Sequence, residues 1–315
     1  MTTLKLPQDD FILQGKIYWR GEIHEGFVYI SKGKIMDFME EHHGADIHGI
    51  LLPKFFNAHI HILDSSSAIE PPRDLLSAVG PNGFKWKILK NIDWFFYRKT
   101  LEFMKKTGTG YYVEFHESQY ADRAKQISSE IGLHGIILGR VKIFPDGVGW
   151  STSLGEPPKK EGILGLHHSE GYHEDIEIAL SYKPHHLVHM NHATKEDLKI
   201  CIEENIPIVV TPRSYLYFSL PIKIKEFVDM DAILMLGTDN GMVSSPDMRV
   251  EAEIFWKLSG MKVEKTLNYL YKPYEIFLGK NVLDKGSEDW IIFEEKNIYR
   301  LVRDWSFYKP LGVNV

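Results

Sequence analysis

The stretch that most constrains the fold is Leu51-Leu52-Pro53-Lys54-Phe55-Phe56-Asn57-Ala58-His59-Ile60-His61. An apolar run ends abruptly at Asn57-Ala58, and two histidines spaced one apart follow. On a strand, residues i and i+2 point to the same side. His59 and His61 therefore aim two imidazoles at one point, where the strand runs out. Two neutral imidazoles converging there make half of a zinc-type site. A pair of surface histidines fits the same pattern, so the rest of the chain has to decide.

Further segments follow in order: His167-His168-Ser169-Glu170, Leu187-Val188-His189, Thr211-Pro212-Arg213-Ser214 and Leu236-Gly237-Thr238-Asp239-Asn240. Together with Pro53, Phe56, Asn57, His59 and His61, they resemble the amidohydrolase superfamily of metal-dependent hydrolases. The likeness is to its cytosine deaminase and chlorohydrolase-like branch and to uncharacterised microbial members. Lys54 stands where that family's PGFxNxHxH segment usually has glycine. The resemblance covers nearly the whole chain. It implies an α/β fold, a TIM (β/α)8-type barrel flanked by a small β-sandwich domain from both chain ends. Residues 1–50 plus 283–315 would form that discontinuous domain, and 51–282 the barrel.

The residue patterns are read independently of that likeness. Short strand-like runs, Phe11–Leu13, Lys16–Trp19, Gly26–Ile30 and Lys34–Phe38, are separated by Gly21, Gly33 and polar turns. Asp289–Phe293 and Tyr299–Val302 have the same flavour. Between them, strand-like runs at 51–58, 110–116, 134–141, 163–167, 185–189, 206–211 and 232–238 alternate with helical patterns. Those patterns lie at 91–107, 119–131, 195–204, 221–229 and 248–259, with Thr194 and Asp197 marking a helix start. Such alternation signals βα units and a parallel sheet. Residues 51–282 are slightly short for a barrel of about 250 residues. The shortage falls between Gly139 and Gly165, where Pro157 and Pro158 would stop a helix of ordinary length. The third to fifth units are expected to be abbreviated, with at least one helix missing.

Composition narrows the function classes. Of 315 residues, 43% are hydrophobic and 25% charged, as in a globular protein. The net charge of −6 and the lack of a basic stripe argue against a nucleic-acid partner. Met1 to Asp10 has no apolar core of a signal peptide, and no run approaches the roughly 20 residues of a membrane helix. The single cysteine, Cys201, rules out an internal disulfide and leaves the redox compartment open. The expectation is a cytoplasmic enzyme with no membrane partner.

Barrel active sites lie at the C-terminal ends of strands. The resemblance implies that His59, His61, His167 and Asp239 bind one metal ion per chain. Three histidines and an aspartate suit Zn²⁺, and Fe²⁺ or Mn²⁺ accept the same ligand types. In the deaminase-like branch the histidine of HxxE is a ligand and its glutamate shuttles protons to a ring nitrogen. Those roles fall to His167, rather than His168, and to Glu170. Otherwise Glu170 is a surface carboxylate opening a helix. His189 matches the sixth-strand histidine that contacts the attacking and departing groups; His192 is its nearest competitor. Asp239 would also take the proton from water; otherwise it caps a helix. His185 and His186 begin a strand and are assigned structural roles, His42, His43 and His48 are expected to be solvated, and Cys201 to pack. One cysteine cannot supply the other zinc-deaminase motif. Lys142 is the candidate for a carbamylated lysine bridging two metals, as some family branches have.

Substrate contacts are less sharply marked. Lys85 and Trp86 lie in a long loop after His61, and such loops carry specificity above a barrel mouth. Glu114, His116 and Glu117 end the second strand, and Arg213 belongs to the Thr-Pro-Arg-Ser segment. Each can instead be structural cover. Trp94-Phe95-Phe96-Tyr97 reads as helix packing. The function expected is a deaminase releasing ammonia from a cyclic amidine such as a purine, pyrimidine or related heterocycle. The alternatives are a cyclic amide or lactam hydrolase with one or two metals, and a non-enzymatic oligomeric relative. A homo-oligomer is expected, because the missing helix leaves one side of the mouth open.

Overall fold

The computed structural model describes residues 9–159 and 161–312. Met1–Gln8, which carry most of the reading against a signal peptide, and the last three residues of the 283–315 tail lie outside the described residues. Period-two alternation brings Phe11, Leu13 and Ile17 to buried positions in β1 (Asp10–Trp19). Two-residue turns connect it to β2 (Glu22–Ser31) and then β3 (Lys34–Met39). Both turns, Arg20-Gly21 and Lys32-Gly33, are left-handed at both residues, the backbone that tight hairpins require. β4 (Ile47–Pro53) runs parallel to β1, and Trp290–Phe293 from the far end of the chain pairs antiparallel with β4. The two chain ends thus meet in one five-stranded sheet. Tyr299–Val302, expected as a further strand, is instead helical within Ile298–Arg303. Asn297 caps that helix, and Ile298, Leu301 and Val302 are buried in the main core. Three apolar residues at helical spacing decided against a strand there.

Lys54 alone separates β4 from β5 (Phe55–His61), so the expected strand 51–58 is two strands in different sheets. The remaining strands are β6 (Thr109–His116), β7 (His134–Gly139), β8 (Gly147–Ser151), β9 (Ile163–His168), β10 (His186–His189), β11 (Ile208–Val210), β12 (Leu234–Leu236) and β13 (Asp239–Asn240). All pair in parallel in the order β12-β11-β10-β9-β8-β7-β6-β5-β13. Only Gly237 and Thr238 separate β12 from β13, so the sheet curls until its two edges meet. Gly237 N–H donates to Val210 on one edge, and Thr238 N–H to His59 on the other.

Helices Trp94–Lys106, Ala121–Ile131, Lys195–Glu203 and Met248–Ser259 cover the outside of the sheet, close to their expected positions. Thr194 and Asp197 form a reciprocal cap. Among the described residues, no α-helix lies between β7 and β9, only a 3₁₀ turn at Thr152–Leu154. β8 escaped the sequence reading because Gly-Val-Gly-Trp-Ser looks like a loop. Its Gly149 packs on Phe115, and a Cβ there would lie 2.6 Å from the ring. The 16-residue helix Val263–Leu278 was also missed, since its interior Pro273 is a breaker signal. It buries Leu267, Leu270, Tyr271 and Tyr274. The Tyr271 and Tyr274 hydroxyls donate to the Pro53 and Lys54 carbonyls, fastening the junction between the two sheets. Among the described residues, no helix is long and apolar enough to cross a membrane.

Candidate metal centre and active site

The alternation of β5 sends His59 and His61 to one side, where β9 delivers His167. His167 Nε2 lies 3.1 Å from His59 Nε2 and 3.3 Å from His61 Nε2. Bonds of about 2.0–2.1 Å to a tetrahedral ion leave its ligand atoms about 3.3 Å apart. The three nitrogens therefore have a spacing that suits a divalent metal. Asp239 Oδ1 approaches the same point, 3.5 Å from His59 Nε2 and 3.7 Å from His61 Nε2. Two overlapping groups could hold an ion: His59, His61 and His167, and His59, His189 and Asp239.

Neighbours fix these side chains. His61 Nδ1 faces Glu117 Oε1 at 2.5 Å and the Phe115 carbonyl at 3.1 Å, both acceptors, which leaves Nε2 free as a ligand. His167 Nδ1 meets Ser151 Oγ at 3.3 Å, while His59 Nδ1 is buried with no hydrogen-bond partner among the described residues. Asp239 accepts from the Ser214 hydroxyl at 2.5 Å and from the Asn240 amide at 2.9 Å. Asn57 binds the Thr238 hydroxyl and backbone N–H, pinning the kink between β12 and β13 to β5. His189 and Asp239 have left-handed φ values of 80° and 61°. Such strain costs about 1–3 kcal/mol per residue and concentrates at functional sites.

Burial sets the charge states. It pushes His59 down to about 3 and His189 to about 4, and holds His167 well below the usual range, so these rings are neutral ligands or hydrogen-bonding groups at pH 7. Burial also pushes Glu170 up to about 8, with the Asp239 charge adding to the rise. For Asp239, burial is outweighed by the His59 hydrogen bond and by electrostatic interaction with the surrounding His189, His59 and His61 rings, which together hold the carboxyl below its ordinary range. Glu170 Oε1 stands 3.6 Å from His189 Nε2. His189 Nδ1 meets Thr211 Oγ1 at 3.3 Å.

His61, His167, Glu170, His189 and Asp239 line a cavity of about 570 Å³, together with Lys85 and Trp86. Lys85 forms a close ion pair with Glu117 and donates to Asn240 Oδ1 at 3.1 Å. Glu117 is thus placed behind His61, away from the cavity lining. His116 is not brought to the site. It points to the other face of β6, where it binds Glu114 and Ser118, and Glu114 binds Tyr97. Arg213 also points away, pairing with Glu251 at 2.5 Å, while its neighbour Ser214 reaches Asp239. His168 also borders the cavity, but its Nδ1 meets Thr152 Oγ1 at 3.0 Å and it belongs to neither metal-binding group. Lys142 is exposed in the β7–β8 connection and belongs to neither histidine cluster. Sequence reasoning missed Arg140 and Ser151, whose only signal was proximity to a strand end, and gave Ser214 no role beyond its place in the Thr-Pro-Arg-Ser segment.

No protein-family model matches the chain. A relative from Archaeoglobus fulgidus, named "Putative aminohydrolase", is 29% identical over 254 residues, 72% of this chain and 74% of the relative. A relative of the same name from Methanothermobacter thermautotrophicus is 25% identical over 308 residues, 78% of this chain and 79% of its own. At these identities the chain is similar to proteins named as aminohydrolases. Solved amidohydrolase structures share the curled TIM-like fold. A 5-methylcytosine deaminase from Klebsiella pneumoniae superposes with a TM-score of 0.71 at 12% identity, covering 95% of both chains. A guanine deaminase from C. acetobutylicum gives 0.70 at 13%, covering 94% of this chain and 95% of its own. A zinc-bound adenosine deaminase from Xanthomonas campestris gives 0.69 at 13%, covering 92% and 88%.

Proposed function

We propose that this protein is a member of the amidohydrolase superfamily and a zinc-dependent deaminase acting on a cyclic amidine, a purine, pyrimidine or related heterocycle. The observation that carries the reading is a proton-carrying pair, Glu170 and His189, 3.6 Å apart beside the three converging histidine nitrogens. The names of the relatives and of the superposed deaminases support the same chemistry.

In this reading His59, His61, His167 and Asp239 would hold one Zn²⁺, which when bound would lower the pKa of water to about 7 and so supply hydroxide. Asp239 takes up the proton of the attacking water, its carboxylate oriented by Ser214 and Asn240. Glu170 carries a proton at neutral pH and delivers it to the ring nitrogen beside the reacting carbon. Neutral His189, steadied by Thr211, hydrogen-bonds the incoming oxygen and the departing amine. The carbon–oxygen bond forms, Asp239 passes the water-derived proton to the amino group, and the carbon–nitrogen bond breaks so that ammonia leaves, while Glu170 regains a proton from the hydroxyl that becomes the carbonyl. Lys85 and Trp86 cover the substrate, while Glu117 orients His61.

The chain ends, 1–50 and 283–315, form the small domain in this proposal, and β4 carries the chain from it into the barrel at 51–282. A homo-oligomer would cover the mouth where β7 to β9 lack helices, and the cytoplasm is the proposed location. The deciding experiment incubates zinc-loaded protein with nucleobases, nucleosides, pterins, triazines and cyclic amides. Ammonia release is expected from an amino-substituted ring. Ring opening of an amide or lactam without ammonia would replace the deaminase reading by its hydrolase rival.

A further inference from the structure

Arg140 follows β7 and lines the active-site cavity. Its guanidinium donates to one neutral acceptor, Ser151 Oγ at 2.8 Å. Among the described residues, no carboxylate pairs with it. The other well-buried basic groups do have carboxylate partners: Lys85 pairs with Glu117, Arg213 with Glu251, and Arg249 with Asp247. A partly desolvated cation without a counter-ion is costly. An arginine presents five donors in a fixed planar fork, and most of this one are unassigned. Trp86, in the same cavity wall, has a buried indole Nε1–H with no acceptor among the described residues. Two unused donors therefore sit in a cavity whose wall includes apolar Leu75, Val79, Trp150 and Leu154 as well as the carboxyl groups of Glu170, Glu174 and Asp239.

We propose that Arg140 is an anion receptor and that the substrate is a planar ring bearing a carboxylate. This inference rests on the deaminase reading of the cavity and adds a specificity-determining residue to it. The carboxylate accepts two parallel hydrogen bonds from the guanidinium fork. Trp150, with its ring centroid 5.9 Å from the guanidinium carbon, supplies a flat wall beside it. A phosphate dianion fits less well. Lys85, the other cation in the lining, is already held by Glu117, so one free positive charge remains. A singly charged, planar acid matches one guanidinium. Ser151 joins the receptor to the metal site, since its hydroxyl meets both Arg140 and His167 Nδ1.

The test uses metal-loaded protein and calorimetric titration with three probes: an aminopyrimidine carboxylate, the corresponding carboxamide, and a nucleoside monophosphate. The carboxylate is expected to bind about tenfold or more tightly than the carboxamide. R140M should abolish that preference with metal content and circular dichroism unchanged, and R140K should restore part of it. Equal binding of carboxylate and carboxamide, absence of binding, tighter binding of the monophosphate, or a preference surviving in R140M would overturn the proposal. Ammonia assayed in the same samples separates the two readings. Equal ammonia release from the carboxylate and carboxamide, with equal affinities, keeps the deaminase and removes the receptor. A carboxylate preference lost in R140M, without ammonia from any probe, keeps the receptor and removes the deaminase.

Discussion

Glu170 and His189 show how one cavity prepares two groups for opposite tasks. Burial disfavours the charged form of each, so the carboxyl rises to about 8 while the imidazole falls to about 4. At pH 7 a protonated acid therefore faces a neutral ring. E170Q is expected to keep its metal, because Glu170 belongs to neither metal-binding group, yet lose about 10²-fold or more in kcat. Metal analysis and steady-state kinetics check both halves; metal loss in E170Q would make Glu170 a ligand. The same residue sets the pH dependence. The active form carries the proton, so kcat/KM should fall as pH rises through about 8, and E170Q should lack that limb. H61A, by contrast, should bind less than one equivalent of metal. Two equivalents in the wild-type protein would contradict the mononuclear site.

At the scale of elements, the decisive feature is the break between β12 and β13. Leu234–Leu236 pairs with β11, and two residues later Asp239–Asn240 pairs with β5. That step swings Asp239 over His59 and His61, and Asn57 holds it through Thr238. Gly237 makes the close approach possible: a Cβ there would lie 2.8 Å from His59 Cβ and from its carbonyl oxygen. G237A is expected to cost about 1–3 kcal/mol through overpacking. It should also weaken metal binding, because the atoms it displaces belong to a ligand. Urea titration and metal analysis of the same preparation test this; an unchanged midpoint with full metal content would show that the strand relaxes freely.

For the molecule as a whole, stability is tied to histidines that must remain neutral. His186 is fully buried between Phe115 and Phe277, with neither ring nitrogen hydrogen-bonded among the described residues. Burial lowers its pKa to about 3, against about 6.5 in an unfolded chain. The unfolded state therefore takes up the proton first as pH falls. This contribution is full above pH 6.5 and is lost between 6.5 and 3, at about 1.4 kcal/mol per unit. H186L should flatten the acid side of a stability–pH curve measured by denaturant unfolding. An equally steep curve would assign the acid sensitivity to other groups. Removing the metal should act in the same direction at every pH. A site occupied at 100 times its Kd contributes about 2.7 kcal/mol, so chelated protein is expected to melt at a lower temperature.

The sequence by itself determined the strand ends that bear His59, His61, His167, His189 and Asp239, because one-apart histidines and apolar runs ending in polar residues are local signals. It also located the missing helices, since Pro157 and Pro158 act on their own backbone. It could not show that 51–58 divides between two sheets, because Leu51 and Phe55 are equally apolar and only their pairing partners differ. Nor could it separate Glu117, drawn behind His61, from His116, turned to the outer face. Those neighbours are told apart by the side of β6 on which they fall and by what packs there. Arg213 and Ser214 exchange the expected importance for the same reason. Arg140 was silent in the sequence, since a cation after a strand is ordinary until the folded chain leaves it without a carboxylate. Side-chain type and spacing are local properties, whereas the partner that satisfies or abandons a charge is chosen by the closure of the sheet.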